Sequence, residues 1–166
     1  MEHLNTRYAY NTVLARRWYT SLYAPGAAVN FATHALYNSA TISKLIVVKA
    51  ATVTGFPTTA RPRIGLLHGT LGANLGLVTP LFAGEPAPNG QHFYVDAAAL
   101  SADMLMQIPL SNVVVTSCTN NMLCVLPPGW SLYIGTPTIA QTVAVGFWWE
   151  ELDIGDPQLG SLQANW

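Results

Sequence analysis

From Met104 to Trp149 the chain runs 46 residues without an Asp, Glu, Lys or Arg, and then sets Glu150, Glu151 and Asp153 almost together. At the usual charged fraction of about a quarter, such a window would hold on the order of eleven charges. A surface this poor in charge is covered by something other than water. A membrane would serve, but Pro109, Asn112, Asn120, Asn121, Pro127, Pro128 and Pro137 cut the run into pieces well short of the ~20 apolar residues of a spanning helix. No membrane partner is therefore expected. Burial against other protein remains, which predicts an obligate oligomer or a packed assembly.

The opening Met-Glu-His-Leu-Asn-Thr-Arg lacks the basic end, apolar core and cleavage site of a secretory signal, so synthesis in a cytoplasm is expected. At 166 residues the chain has the size of one domain and can bury a good core. Only 9% of residues are charged and 51% are hydrophobic, the reverse of a disordered composition. A net charge of -1 supplies no basic patch for phosphate backbones, so no nucleic-acid partner is expected. The ends are electrostatic opposites: Arg7, Arg16 and Arg17 outweigh Glu2 at the start, and Glu150, Glu151, Asp153 and Asp156 make the end acidic. That asymmetry either docks one subunit's start on a neighbour's tail or solvates two surface ends.

Short β-rich runs cut by turn residues fill most of the chain. They cover 27–33, 41–54, 63–68, 76–81, 92–95, 104–108, 112–117, 122–126, 131–135 and 142–152, separated by stretches such as Gly-Phe-Pro, Pro-Pro-Gly and Gly-Thr-Pro-Thr. Residues 96–103 read as at most one helical turn. Many short strands with Pro and Gly punctuation predict an all-β fold, a sandwich or barrel, and a jelly roll suits the strand count and length. The expected organisation is an extended amino-terminal arm (1–26), a jelly-roll-like β-sandwich (27–152) and a short carboxy-terminal tail (153–166).

Val113 to Val115 and Leu45 to Val48 are apolar without alternation, which predicts that the outer face of the sheet is covered as well. Cys118 and Cys124 flank Thr-Asn-Asn-Met-Leu, read as a hairpin turn; a three-residue loop sets them opposite, a two-residue loop does not, and reduced thiols are the expectation. Gly65, Gly69, Gly72 and Gly76 match no nucleotide fingerprint and read as turn and bulge glycines.

Chemical signatures are sparse. His3, His34, His68 and His92 are scattered without metal spacing, no nucleophile elbow or cysteine-protease motif is present, and the acidic cluster 150–156 lacks a calcium loop and reads as solvated. No catalytic residue, cofactor or metal is expected. Aromatics are the more telling class. Tyr8, Tyr10 and Trp18 lie among Arg16 and Arg17 in the arm, Trp130 and Tyr133 follow Pro-Pro-Gly, and Phe147, Trp148 and Trp149 alternate across the last strand. With Phe147 and Trp149 on one side and Trp148 on the other, one core cannot hold all three, and these ten residues are the expected oligomer or partner interface.

The segment Leu126-Pro-Pro-Gly-Trp-Ser-Leu-Tyr-Ile-Gly with Ala-Gln-Thr-Val-Ala-Val-Gly-Phe-Trp-Trp-Glu-Glu-Leu152 resembles the closing hairpin of small jelly-roll virion proteins of tailed bacteriophages. The likeness covers about 27 residues, 126–152, and is a loose pattern. It implies a homotrimeric capsid decoration, or cement, protein on the outer surface of the virion, with the major capsid protein as partner. The alternatives are a receptor- or carbohydrate-binding module of a phage fibre or tail and, more distantly, a shell-forming coat protein.

Overall fold

The computed structural model describes residues 17–24, 26, 28–41, 43–54, 62–81, 83–97, 103–107, 113–116, 124–136, 139–140 and 143–154. Among them twelve strands form two antiparallel sheets, and there is no helix long and apolar enough to cross a membrane. In the first sheet β3 (Lys44–Thr54), β12 (Ala144–Asp153), β1 (Arg17–Tyr23) and β6 (Val78–Pro80) lie side by side, with β9 (Val113–Thr116) and β10 (Cys124–Leu126) on the far edge of β3. The second runs β5 (Ala73–Asn74), β7 (Gly90–Ala97), β2 (Phe31–Asn38), β11 (Trp130–Gly135), β4 (Arg63–His68) and β8 (Asp103–Gln107). The chain is an all-β sandwich, as its punctuation predicts. Ile46, Val48, Val53, Phe147 and Trp149 from one sheet meet Leu36, Ile64, Leu132 and Ile134 from the other in a single core. Each such side chain contributes about 1.5–3 kcal/mol by leaving water.

Three expectations change. Residues 17–23 are a strand of the first sheet between β12 and β6, so the sandwich begins well before residue 27. The cause is alternation: Tyr19, Ser21 and Tyr23 face inward from Trp18, Thr20 and Leu22, and Tyr19 is fully buried. In backbone register Arg17 stands opposite Glu151 and Trp18 opposite Glu150, so β1 and the acidic end of β12 pair within one chain. Second, β2 extends to Asn38, beyond the expected 27–33. Ala35 and His34 are weak strand formers, and burial of Ala32, His34 and Leu36 overrides that preference. Third, 113–116 and 124–126 do not pair as a hairpin. β10 lies beside Ile46–Val48 and β9 beside Ala51–Thr54, in line along the same edge of β3, so they form one interrupted edge strand. Cys124 is half-buried against the core, and Cys118 lies outside the described residues.

Strand β3 is re-phased beyond its Leu-Ile-Val-Val run by a bulge. The pairing with β12 shifts between Trp148 and Trp149, so that Trp148 faces Ala50, Trp149 faces Val48, and Lys49 is the extra residue of a bulge. Ile46 and Val48 point inward before it, Ala51 and Val53 after it. One inserted residue thus switches the inward positions from even to odd, and keeps both halves of the longest strand in the core.

The punctuation residues behave as their chemistry requires. Trp130 N–H donates to the Pro127 carbonyl at 3.1 Å across Pro128 and Gly129, and Gly129 has φ of 86°. That is a type II turn, with proline where φ is fixed and glycine where φ is positive. It carries the chain from β10 in the first sheet to β11 in the second. Asn38 supports the crossing: its side-chain amide donates to the carbonyls of Lys44 and Leu126, both at 2.8 Å. Of the four glycines 65, 69, 72 and 76, the last three adopt positive φ in turns and Gly65 sits at a bulge between β4 and β8.

Candidate functional site

The residues expected at an interface separate by face. Phe147 and Trp149 lie inside the sandwich with 0% of their surface exposed, so their role is to fill this subunit's own core. Trp18 and Trp148 are on the outer face of the first sheet and half-buried. Tyr133 is on the outer face of the second sheet, opposite Ala35 and Gly65, and is buried there among its neighbours. Trp130 stands at one end of the sandwich with its ring 5.4 Å from that of His68, edge-on. Arg17 opens β1; Tyr8, Tyr10 and Arg16 lie outside the described residues.

Strand register assigns the outer face of the second sheet. Phe31, Thr33, Ala35 and Tyr37 of β2 lie beside Val95, Phe93 and Gln91 of β7 on one side and Ser131, Tyr133 and Gly135 of β11 on the other, with Leu67, Gly65 and Arg63 of β4 beyond. Arg63, at the margin, is the one charge in this set. Tyr37 and Phe93 pack edge-to-face with centroids 5.9 Å apart, and both remain partly exposed. The outer face of the first sheet carries Trp18, Leu45, Trp148 and Val125, with the exposed Leu22 at its end. Its polar feature is an ion pair: Lys49 Nζ lies 2.9 Å from Glu150 Oε1 and 5.5 Å from the centre of the Trp18 ring. The bulge that rescues the alternation of β3 is what places Lys49 there. Val47 and Leu152 on this face are also buried, in keeping with the coverage that the apolar runs predict.

The acidic cluster is not solvated as expected. Glu150 is 2% exposed, Glu151 is 0% exposed, and Asp153 alone is half-exposed in a 3.5 Å pair with Lys44, while Asp156 lies outside the described residues. The parity that puts Trp149 inside puts Glu151 inside too. There its carboxylate accepts the backbone N–H of Asn89 and of Gly90, each at 2.8 Å, the side-chain amide of Asn89, and the indole N–H of Trp149 at 3.3 Å. These bonds replace the water it gave up. Glu151 thus ties the start of β7 to the first sheet, and Trp149 lies flat against the backbone at the same point. A Cβ on Gly90 would stand 2.8 Å from the indole ring. Gly90→Ala is therefore expected to lower stability by about 1–3 kcal/mol through overpacking, read as a lower urea midpoint.

The other buried polar cluster joins two histidines that look unrelated in sequence. His34 of β2 and His92 of β7 are both 0% exposed, and His34 Nδ1 lies 3.0 Å from His92 Nε2, one ring donating and the other accepting. Tyr23, Tyr94 and Phe147 enclose them with centroids 5.0 to 6.5 Å away. Burial, and then the nearness of His92, holds His34 down at about 3, against a weaker upward pull from the Val143 backbone. Burial lowers His92 to about 4. Both rings are neutral at neutral pH, and the outer nitrogens, His34 Nε2 and His92 Nδ1, complete no hydrogen bond. The inward parity of 34 on β2 and 92 on β7 predicts that they share the core, but only once the two strands are known to be neighbours.

Among the described residues no three His, Cys, Asp or Glu side chains gather to hold a metal. A shallow groove of about 390 Å³ between β1 and the segment leading into β6 is lined by Thr20, Ser21, Leu22, Leu77, Val78 and Thr79, without a charged group. No protein-family model, curated protein or solved structure matches the chain.

Proposed function

We propose that this chain is a structural protein of a virion, a capsid decoration protein that binds the outer shell as an oligomer, a homotrimer on the resemblance, and stabilises neighbouring major capsid subunits. The observation that carries the reading is how little charge the outer faces bear, the Lys49–Glu150 pair on the first sheet and Arg63 at the margin of the second, while Trp18, Trp148, Tyr37 and Phe93 stay partly exposed there. Partly exposed aromatic side chains with little charge around them are characteristic of the cores of protein interfaces. Small dry contacts, repeated over a lattice, sum to strong attachment by multivalency.

The strand order supports the finer reading of the fold as a jelly roll. With β5 to β7 set aside, one sheet holds β9/β10, β3, β12 and β1, and the other holds β2, β11, β4 and β8. Two four-stranded sheets wound this way are interlocked Greek keys. β5 to β7 are then an insertion between β4 and β8 that widens both sheets.

Size-exclusion chromatography with light scattering is expected to give an oligomer. Phe93→Glu, which puts a charge beside Tyr37 on the outer face of the second sheet, is expected to yield monomers at a cost of about 1 kcal/mol in subunit stability. A wild-type monomer at micromolar concentration would sink the oligomer claim. Shells lacking the protein are expected to burst at lower temperature than decorated ones, and equal survival would remove the cementing role.

A further inference from the structure

We propose that the His34–His92 pair is an acid-sensitive latch that holds β7, with the β5 and β6 segment before it, closed over the core, and that protonation of the pair releases this part of the sandwich ahead of the rest. β7 is bound on one side by β2 over its whole length, from Phe31 opposite Ala97 to Asn38 opposite Gly90. On its other side, among the described residues, it pairs only with the two-residue β5. The imidazole contact is the polar link between β7 and β2 inside the core, and it works only while one ring nitrogen is unprotonated.

Among the described residues the Val143 backbone favours a positive charge on His34, more weakly than burial and His92 oppose it, and no side chain facing the pair supplies a counter-charge. From β1 comes Tyr23, from β12 the apolar ring of Phe147, from β11 Leu132 and Ile134, and from β7 itself Tyr94. Tyr94 stays neutral, since burial, Asp96 and Tyr23 all push its phenol upward. The carboxylates on the same strands are committed elsewhere: Asp96 accepts the backbone N–H groups of Val29 and Asn30, and Glu151 those of Asn89 and Gly90. Two imidazolium rings 3.0 Å apart in that setting repel each other and lack counter-charge. Opening exposes both to water.

The sign follows from burial. Both folded-state values, about 3 and about 4, lie below the ordinary 6.5, so the closed state keeps its full stability above pH 6.5 and loses it as pH falls through that value toward the lowered ones. At pH 5 each histidine raises the opening equilibrium roughly 20- to 25-fold relative to pH 7, and the two together about 500-fold. The effect is largest where β7 is the element released.

Hydrogen exchange on the full chain tests this. After correction for intrinsic rates, amides of 73–80 and 90–97 are expected to lose protection between pH 7 and pH 5, while those of β3 and β12 keep theirs. In the double variant His34→Phe, His92→Leu the difference is expected to vanish. If that variant does not fold, His92→Gln keeps a hydrogen-bonding side chain and is expected to remove about 20-fold of the pH response. Equal protection of 90–97 at the two pH values in the wild-type chain would overturn the proposal. So would an undiminished pH response in His92→Gln.

Discussion

Replacing Glu151 by leucine is expected to lower the free energy of unfolding by about 4 kcal/mol, although the substitution puts an apolar residue into an apolar interior. The carboxylate accepts the amides of Asn89 and Gly90, the Asn89 side chain and the Trp149 indole N–H. Removing it strands these donors, at about 1–3 kcal/mol for each that stays buried. Glu151→Gln is expected to cost about half as much, since its oxygen still accepts while its NH₂ group opposes the donors it meets. Urea unfolding at neutral pH, with the slope unchanged, is the measurement. A leucine variant within about 1 kcal/mol of wild type would show that the clamp on β7 contributes little.

Trp149→Ala and Trp148→Ala are expected to differ sharply despite adjacent positions and the same chemistry. Trp149 has no exposed surface and packs on Tyr19, with centroids 5.8 Å apart, and on Gly90. Its truncation is expected to cost about 3–5 kcal/mol. Trp148 lies on the other face and is half-buried. Its truncation is expected to cost about 1 kcal/mol in subunit stability and to appear mainly as weaker association. Thermal unfolding of the subunit and light scattering of the assembly separate the two effects. The Trp149 cavity also predicts non-additivity: Gly90→Ala, damaging alone, is expected to cost almost nothing in the Trp149→Ala background, because the ring it collides with has gone. Additive costs would mean that the two residues do not share the contact.

Much of the β architecture was legible because strand signals are local. Residues 63–68 form a strand with the expected bounds, and Lys44–Thr54, Trp130–Gly135 and Ala144–Asp153 lie within one to three residues of the expected 41–54, 131–135 and 142–152. Pro-Pro-Gly announced a turn, and the turn type needs proline and glycine in that order. Less legible was β1, because a strand bearing arginine and tyrosine beside the start of the chain reads as an arm until its neighbours are known. The reading of 113–126 as a hairpin failed for a related reason: two apolar runs around Asn-Asn look the same whether they pair with each other or, as here, each with β3.

The candidate sites were harder. Alternation placed Phe147 and Trp149 on one side and Trp148 on the other, and the structure has them so. It does not say which side is the core. The same parity carried Glu151 inside, where composition suggested a solvated carboxylate, because the Asn89–Gly90 donors that make burial tolerable come from a segment some sixty residues earlier.

The sequence by itself determined the class of fold, the turns and the two-sided dryness of the strands, since each depends on neighbours two or three residues apart. Tertiary structure alone decided that β1 enters the sheet, that one bulge at Lys49 re-phases β3, and that His34 meets His92. These are pairings between distant segments, selected by which faces exclude water together, and that selection is a property of the packed whole.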